Sequence, residues 1–358
     1  MTGHTVISPD QVVTLSDGMS PAEWFSYAEG QGWGDGLSTI PPTAAAVRDF
    51  IEALPAQPGG MPRVPPRRVV PTIASLAANA VMAGCVPEDF PLVLAALRAS
   101  AQPAFNLDGI LATTHPCTPM VIANGPVRHE LGINCGANCL GQGTRANAVI
   151  GRALHLIFTN IGGARPGTMD RATQGSPAKF TYCFGENEEA SPWEPYHVRR
   201  GFPESANVVT VAAAEPPHNI NDHGSTSGDE ILTTIAGAMS EAGTNNLYLG
   251  GPHFIVLGPE HAGTLHRDGW TIPRIQEEAY ERSRIHWSRV SAGNRRYFGT
   301  HGVEPADDYY HLSTGPGDVH VIVAGGPGKH SAWIPTFGAT QACSGQLRSA
   351  PRTAEVPL

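Results

Sequence analysis

Four apolar runs in this 358-residue chain each deliver a histidine beside a charged residue. Met120 to Pro126 leads into Arg128, His129 and Glu130. Val208 to Ala214 leads through Glu215 to His218, Asp222 and His223. His253 to Gly258 precedes Glu260 and His261, and Val319 to Ala324 precedes Gly325-Gly-Pro-Gly328, Lys329, His330 and Ser331. Imidazole exchanges its proton near neutral pH, so such a set suits general acid–base chemistry. The expected assignment makes His218 or His223 the base and has Asp222 or Glu260 orient an imidazole. His261 and His330 share the same pocket. Lys329 and Arg165 hold an anionic group, since ammonium and guanidinium groups bind carboxylates. Asn187, Ser331, Gly326 and Gly328 complete the substrate contacts, the glycines by leaving backbone N–H groups exposed. Cys183 is the preferred thiol for a covalent intermediate, beside the plainer reading of a core cysteine.

A second chemistry uses the same region as a metal site, with His218 and His223 joined by Glu186, Glu188 or His261. The spacing of the two histidines is not the i,i+4 of a helical site, so a loop would have to bring them together. Cys135 and Cys139 lack CxxC spacing and read as small buried residues in a Gly-rich turn. The acid–base reading requires no cofactor; the alternative requires a divalent metal. GxGxxG, Walker and GxSxG patterns are absent from the sequence, so nucleotide-binding and α/β-hydrolase readings have no support.

The elements that must position these residues follow from periodicity and punctuation. The four apolar runs read as buried strands; if parallel in one sheet, their carboxyl ends would share an edge where ligands bind. A helix could begin at Lys329 to Ser331. Helices are also expected over Pro21–Gly30, from Ala44 to about Leu54, over Ile73–Ala83, from Pro87 to about Ser100, over Ala148–Asn160, from Asp229 to about Ala242, and from Ile275 to about Ser288. Ile110–Thr113 and Lys179–Phe184 read as strands. The fold class is α/β, a mixed or mostly parallel sheet flanked by helices with a helical N-terminal arm. The expected divisions are an arm over 1–60, an α/β body over 61–345 and a C-terminal tail over 346–358.

Composition narrows the function. Charged residues make up 15% of the chain, well below the roughly 25% of soluble domains, so further surface is expected to be hidden in a homo-oligomer. The net charge is −9 and basic runs are missing beyond Arg63 to Arg68, which prolines break; this argues against nucleic acid. No 18-residue apolar run and no secretory leader is seen, so a cytoplasmic protein without membrane contact is expected. Six cysteines in this length point to reduced thiols.

Five motifs carry a resemblance: Gly-Trp-Gly-Asp-Gly-Leu at 32–37, Glu-Leu-Gly-Ile-Asn at 130–134, Glu-Asn-Glu-Glu-Ala-Ser-Pro-Trp-Glu-Pro at 186–195, Pro-His-Asn-Ile-Asn-Asp-His at 217–223 and Gly-Gly-Pro-Gly-Lys-His-Ser at 325–331. In these the chain resembles a broad, mostly uncharacterised bacterial family associated with UGSC-motif cysteine or selenocysteine proteins. The UGSC motif itself is absent here, and Cys117, Cys135 and Cys139 are additions to the family pattern. The resemblance implies thiol-related small-molecule chemistry with a UGSC-motif protein as a separate partner. Three functions are thus expected in order: an acid–base enzyme of lyase, hydratase or hydrolase type acting on a carboxylate-bearing small molecule, a metal-dependent enzyme, and a non-catalytic subunit of a thiol or selenol redox system.

Overall fold

The helix Ile73–Ala83 is set chemically at both ends. Thr72 Oγ1 accepts from Ser75 N at 3.0 Å, and Gly84 closes the helix in left-handed backbone at φ 96°, a conformation that disfavours any residue with a Cβ. Every position from Ser75 to Ala83 is buried, as an apolar circumference requires. The computed structural model describes residues 4–7, 12–15, 19–55 and 59–347. Most of the expected C-terminal tail therefore lies outside the described residues, as do parts of the expected arm. The described helices of that arm, Pro21–Gly30 and Ala44–Glu52, bury Trp24, Val47 and Phe50 in the same apolar cluster as Ile73–Ala83.

The strands are β1 (His4–Ile7), β2 (Val12–Leu15), β3 (Thr118–Asn124), β4 (Cys183–Gly185), β5 (Val208–Ala214), β6 (His218–Asn221), β7 (His253–Leu257), β8 (Ile285–His286), β9 (Tyr309–Tyr310), β10 (Val319–Val323), β11 (His330–Ile334) and β12 (Cys343–Gln346). β1 pairs with β2 and β8 with β9. The others form two mixed sheets ordered β12-β5-β3-β4 and β10-β7-β11-β6. Side chains alternate across each strand, and both faces of both sheets are covered. Met120, Ile122, Phe184 and Ala212 of the first sheet meet Phe254, Ile322 and Ile334 of the second. The outer face of the first sheet packs Val121, Val209 and Val211 against Leu76, Leu94 and Leu154. That of the second packs Ile255, Val321 and Trp333 against Ile231, Leu265 and Ile275. The result is a mixed α/β architecture in four layers, helix, sheet, sheet and helix.

This corrects the expectation of four parallel strands in one sheet. β3 and β5 are antiparallel partners, and among the strand pairs of the described residues only β3 with β4 and β10 with β7 run parallel. Fully buried strands read as unbroken apolar runs in either orientation. Three local readings also change. Ile110–Thr113 is not a strand, because the helix Leu107–Leu111 covers its start. The alternation over Lys179–Phe184 gives only the short β4 after a turn of 3₁₀ helix. Lys329–Ser331 does not open a helix: His330 begins β11, which lies between β7 and β6 and pairs antiparallel with both.

That placement depends on one glycine. A Cβ on Gly258 would stand 2.2 Å from the carbonyl oxygen of His330, so the ends of β7 and β11 approach only because position 258 has no side chain. Gly258→Ala should cost about 1–3 kcal/mol by overpacking, to be read as a lower denaturant midpoint at unchanged slope. Wild-type stability in this variant would show that the contact is not tight.

Candidate functional site

Direction determines which histidines meet. β5 runs antiparallel to β3, so its following loop leaves at the far end of the molecule, but β6 then carries the chain back. β6 is antiparallel to β11, itself antiparallel to β7, so Asp222 and His223 arrive beside the carboxyl end of β7 and the start of β11. There the two exposed rings of His223 and His330 meet edge to face, with centroids 5.0 Å apart and Nε2 atoms at 3.2 Å. His330 Nδ1 lies 3.0 Å from Asn219 Oδ1. With the amide oxygen accepting, His330 carries its hydrogen on Nδ1 and its Nε2 accepts from His223 Nε2–H. The Nδ1 of His223 then keeps a free lone pair. Lys329 Nζ donates to the His223 carbonyl at 3.2 Å, which fixes the ammonium group beside the pair.

Behind the pair, His261 is buried and locked. Its Nδ1 lies 2.8 Å from Ser331 Oγ and its Nε2 lies 3.1 Å from the Asp222 carbonyl. A carbonyl can only accept, so Nε2 bears the hydrogen and Ser331 donates to Nδ1. Ser331 Oγ also accepts from Gly258 N at 3.2 Å. Both ring nitrogens are thus occupied, and His261 positions the edge rather than exchanging protons there. The expected orienting carboxylates are corrected accordingly. Asp222 holds His261 through its main chain while its Oδ1 accepts from Ser225 N at 2.9 Å, and Glu260 is exposed on the first turn of the helix Pro259–Arg267.

His218 does not join this edge. It stands at the opposite end of β6, facing Glu241 at 3.7 Å; five residues of extended chain span roughly 16 Å. Arg165 lies elsewhere too, its guanidinium against Gly32. Cys183 is buried under the helix Arg145–Ile157 and its thiol is pushed up to about 12 by burial, so it is protonated at neutral pH and lacks the thiolate a nucleophile needs. All six cysteines are unpaired. The glycines after β10 serve packing: Gly325 N donates to the Cys135 carbonyl at 2.9 Å, and a Cβ on Gly326 would meet Ala137 at 2.7 Å. Gly328, at φ 136°, helps turn the chain back into β11. Asn187 stitches that loop, its N donating to the Val323 carbonyl at 2.7 Å and its Nδ2 to the Gly325 carbonyl at 3.3 Å.

On the other side of the same loop lies a buried network that joins the candidate metal ligands Glu186 and Glu188 to Asn124 and Arg128, which the sequence gives no role. Asn124, at the end of β3, gives its amide to Glu186 Oε2 at 2.5 Å and Glu188 Oε1 at 2.9 Å. Tyr196 N donates to Glu186 Oε2 at 2.7 Å. Arg128 bonds the Glu186 carbonyl and the carboxylates of Glu188 and Glu189. Burial raises the Glu186 carboxyl to about 7 despite these donors. The four acids of 186–194 are a signal in the sequence, but nothing in their spacing places Asn124 and Arg128 among them. The expected metal set fails here, because Glu186 belongs to this network, His223 to the other side of the loop and His218 to the far end of β6. Among the described residues, no three His, Cys, Asp or Glu side chains are placed to hold a metal ion, and no helix is long and apolar enough to cross a membrane.

The chain matches no family model, no curated protein and no solved structure against which it was compared.

Proposed function

We propose that the protein is a small-molecule enzyme in which His223 and His330 act as a coupled proton-transfer pair, on a substrate whose carboxylate is held by Lys329. The observation that carries this reading is the 3.2 Å separation of the two Nε2 atoms with Asn219 anchoring the far nitrogen of His330. The free Nδ1 of His223 serves as base. The proton it takes can be balanced through the shared hydrogen without large movement of either ring. Exposure of both rings leaves them open to a substrate, and the ammonium group of Lys329 supplies the charge that a carboxylate requires. A lyase or hydratase reaction begins with such a step, removal of a proton next to a carboxylate.

Proton abstraction can be tested apart from the steps that follow it. Small 2-hydroxy, 2-keto and unsaturated carboxylic acids are incubated with the protein in D₂O, and deuterium wash-in at carbon is followed by proton NMR. His223→Ala and His330→Ala should each slow exchange of a responsive acid by about 10²–10⁴-fold, while Asn219→Ala, which frees the His330 ring to turn, should cost less. Exchange that continues at the parent rate in the double histidine variant would remove the assignment.

A further inference from the structure

At the opposite edge of the β10-β7-β11-β6 sheet lies a cavity of about 620 Å³. Tyr196, Arg199, Arg200, Gln276 and His320 form its polar lining, and Trp193, Ile272 and Pro273 its apolar wall. We infer that this cavity is a second small-molecule site, built for a carboxylate on an aromatic or apolar body and separate from the histidine pair.

The charge arrangement supports an anion. Arg199 donates to the carbonyls of Glu194 and Val321. Arg200 donates to Ser344 Oγ, the Ala342 carbonyl and Tyr196 Oη. These acceptors are neutral, and neither guanidinium forms an ion pair among the described residues. Both instead lie over the Tyr196 ring, each 5.4 Å from its centroid. Neutral acceptors orient a guanidinium without cancelling its charge. Glu194 also lines the cavity but is exposed, and Glu186 acts on Arg199 only at longer range. Two cations against one rim carboxylate leave a single net positive charge, which suits a monoanion.

His320 stands in the same wall. Its Nδ1 lies 3.1 Å from Tyr196 Oη, and that oxygen already accepts from Arg200 Nη1 at 3.4 Å. Nδ1 is the acceptor within reach of the buried Tyr196 hydroxyl hydrogen, so Tyr196 donates to Nδ1, which places the ring hydrogen on Nε2. Nε2 is out of solvent and has no partner among the described residues. Burial and the two arginines hold His320 down to about 3, so the ring stays neutral and presents one N–H. A carboxylate in the cavity faces the guanidinium groups, with the neutral His320 ring in the wall beside them. Trp193, whose Nε1 donates to the Trp270 carbonyl at 3.0 Å, lines the cavity with Ile272 and Pro273 and adds apolar surface for the body of the ligand.

Benzoate serves as the probe and benzamide as its uncharged counterpart, with binding followed by saturation-transfer NMR. Benzoate should bind in the millimolar range or tighter, and benzamide at least tenfold more weakly. Arg199→Met, which keeps much of the stem and removes one guanidinium of the lining, should weaken benzoate about tenfold. Gly317→Leu, at a lining residue where an added Cβ meets no atom within 4 Å, should weaken binding without removing a polar group. His223→Ala should leave benzoate binding unchanged, which separates this site from the histidine pair. Equal binding of benzamide, benzoate binding unchanged by Gly317→Leu, or no benzoate binding at millimolar concentration would each overturn the inference.

Discussion

Arg128→Met is expected to cost about 3–5 kcal/mol of folding stability, because it removes one partner from a buried ion cluster and leaves carboxylates uncompensated. The Arg128 side chain is 3% exposed. Its guanidinium meets Glu188 Oε2 at 2.9 Å, Glu189 at 3.0 Å twice, the Glu186 carbonyl at 2.7 Å and the Gly125 carbonyl at 3.1 Å. The bond to Arg128 is also what holds the Glu189 carboxyl down to about 2. Methionine fills much of the volume of the arginine stem, so the loss reports charge and hydrogen bonding rather than a cavity. Set against a typical total of about 5–15 kcal/mol, the effect is large. Arg128→Lys should fall between parent and Met, since an ammonium is a point charge that cannot reproduce the planar fork. Urea denaturation of the three proteins at one pH is the measurement. A Met variant within about 1 kcal/mol of the parent, the size of an exposed pair, would show that the cluster contributes no more than a surface contact.

The same residue shows where the sequence is readable and where it is not. Arg128 follows an apolar run and a Gly-Pro turn, and that local pattern is visible; its partners stand about sixty residues further along, and no spacing connects them. Local chemistry is legible wherever a cap or a left-handed glycine states it, as at Thr72 and Gly84. The strands too are legible as strands. Their orientation is not, since antiparallel β5 and parallel β10 present equally continuous apolar runs when both faces are covered. Orientation decides the site. His218 and His223 lie five residues apart in sequence, yet the return of the chain along β6 sends them to opposite ends of one strand. His223 and His330 are 107 residues apart and touch. The convergence of His223, His261 and His330 could be expected from their positions after apolar runs, but the route differs: β6, not a neighbouring parallel β5, delivers His223. Arg199, Arg200 and His320 form no pattern at all, because their common cavity arises from the meeting of a four-residue helix with an edge strand.

Lowering the pH from 6.5 towards 4.5 is expected to destabilise the protein steeply. Burial holds His155 and His253 down to about 4, and burial with the charge of Arg200 holds His320 down to about 3. In the unfolded chain each returns to about 6.5. Above that value neither state binds the proton and stability is complete; below it the unfolded state takes up protons that the folded state refuses, so stability falls with pH. Each such histidine contributes a slope of up to about 1.4 kcal/mol per pH unit. Glu186 opposes one of them: its folded value of about 7 lies above the usual carboxyl range, so between roughly pH 7 and 4.5 the folded state binds the extra proton and gains stability as the pH falls. The net slope is then about 2–3 kcal/mol per unit, enough to bring unfolding into the range of mild acid for a protein of ordinary stability. His253→Gln isolates the largest clean contribution. The ring is completely buried and accepts from Trp333 Nε1 at 2.9 Å, a bond the glutamine oxygen can replace while removing the titration. Denaturant unfolding at half-unit steps between pH 7.5 and 4.5 should show the parent falling and the variant falling less steeply by about 1.4 kcal/mol per unit. A parent curve flat from pH 7 to 5, or a variant with the parent's slope, would show that these rings are not held neutral by the fold.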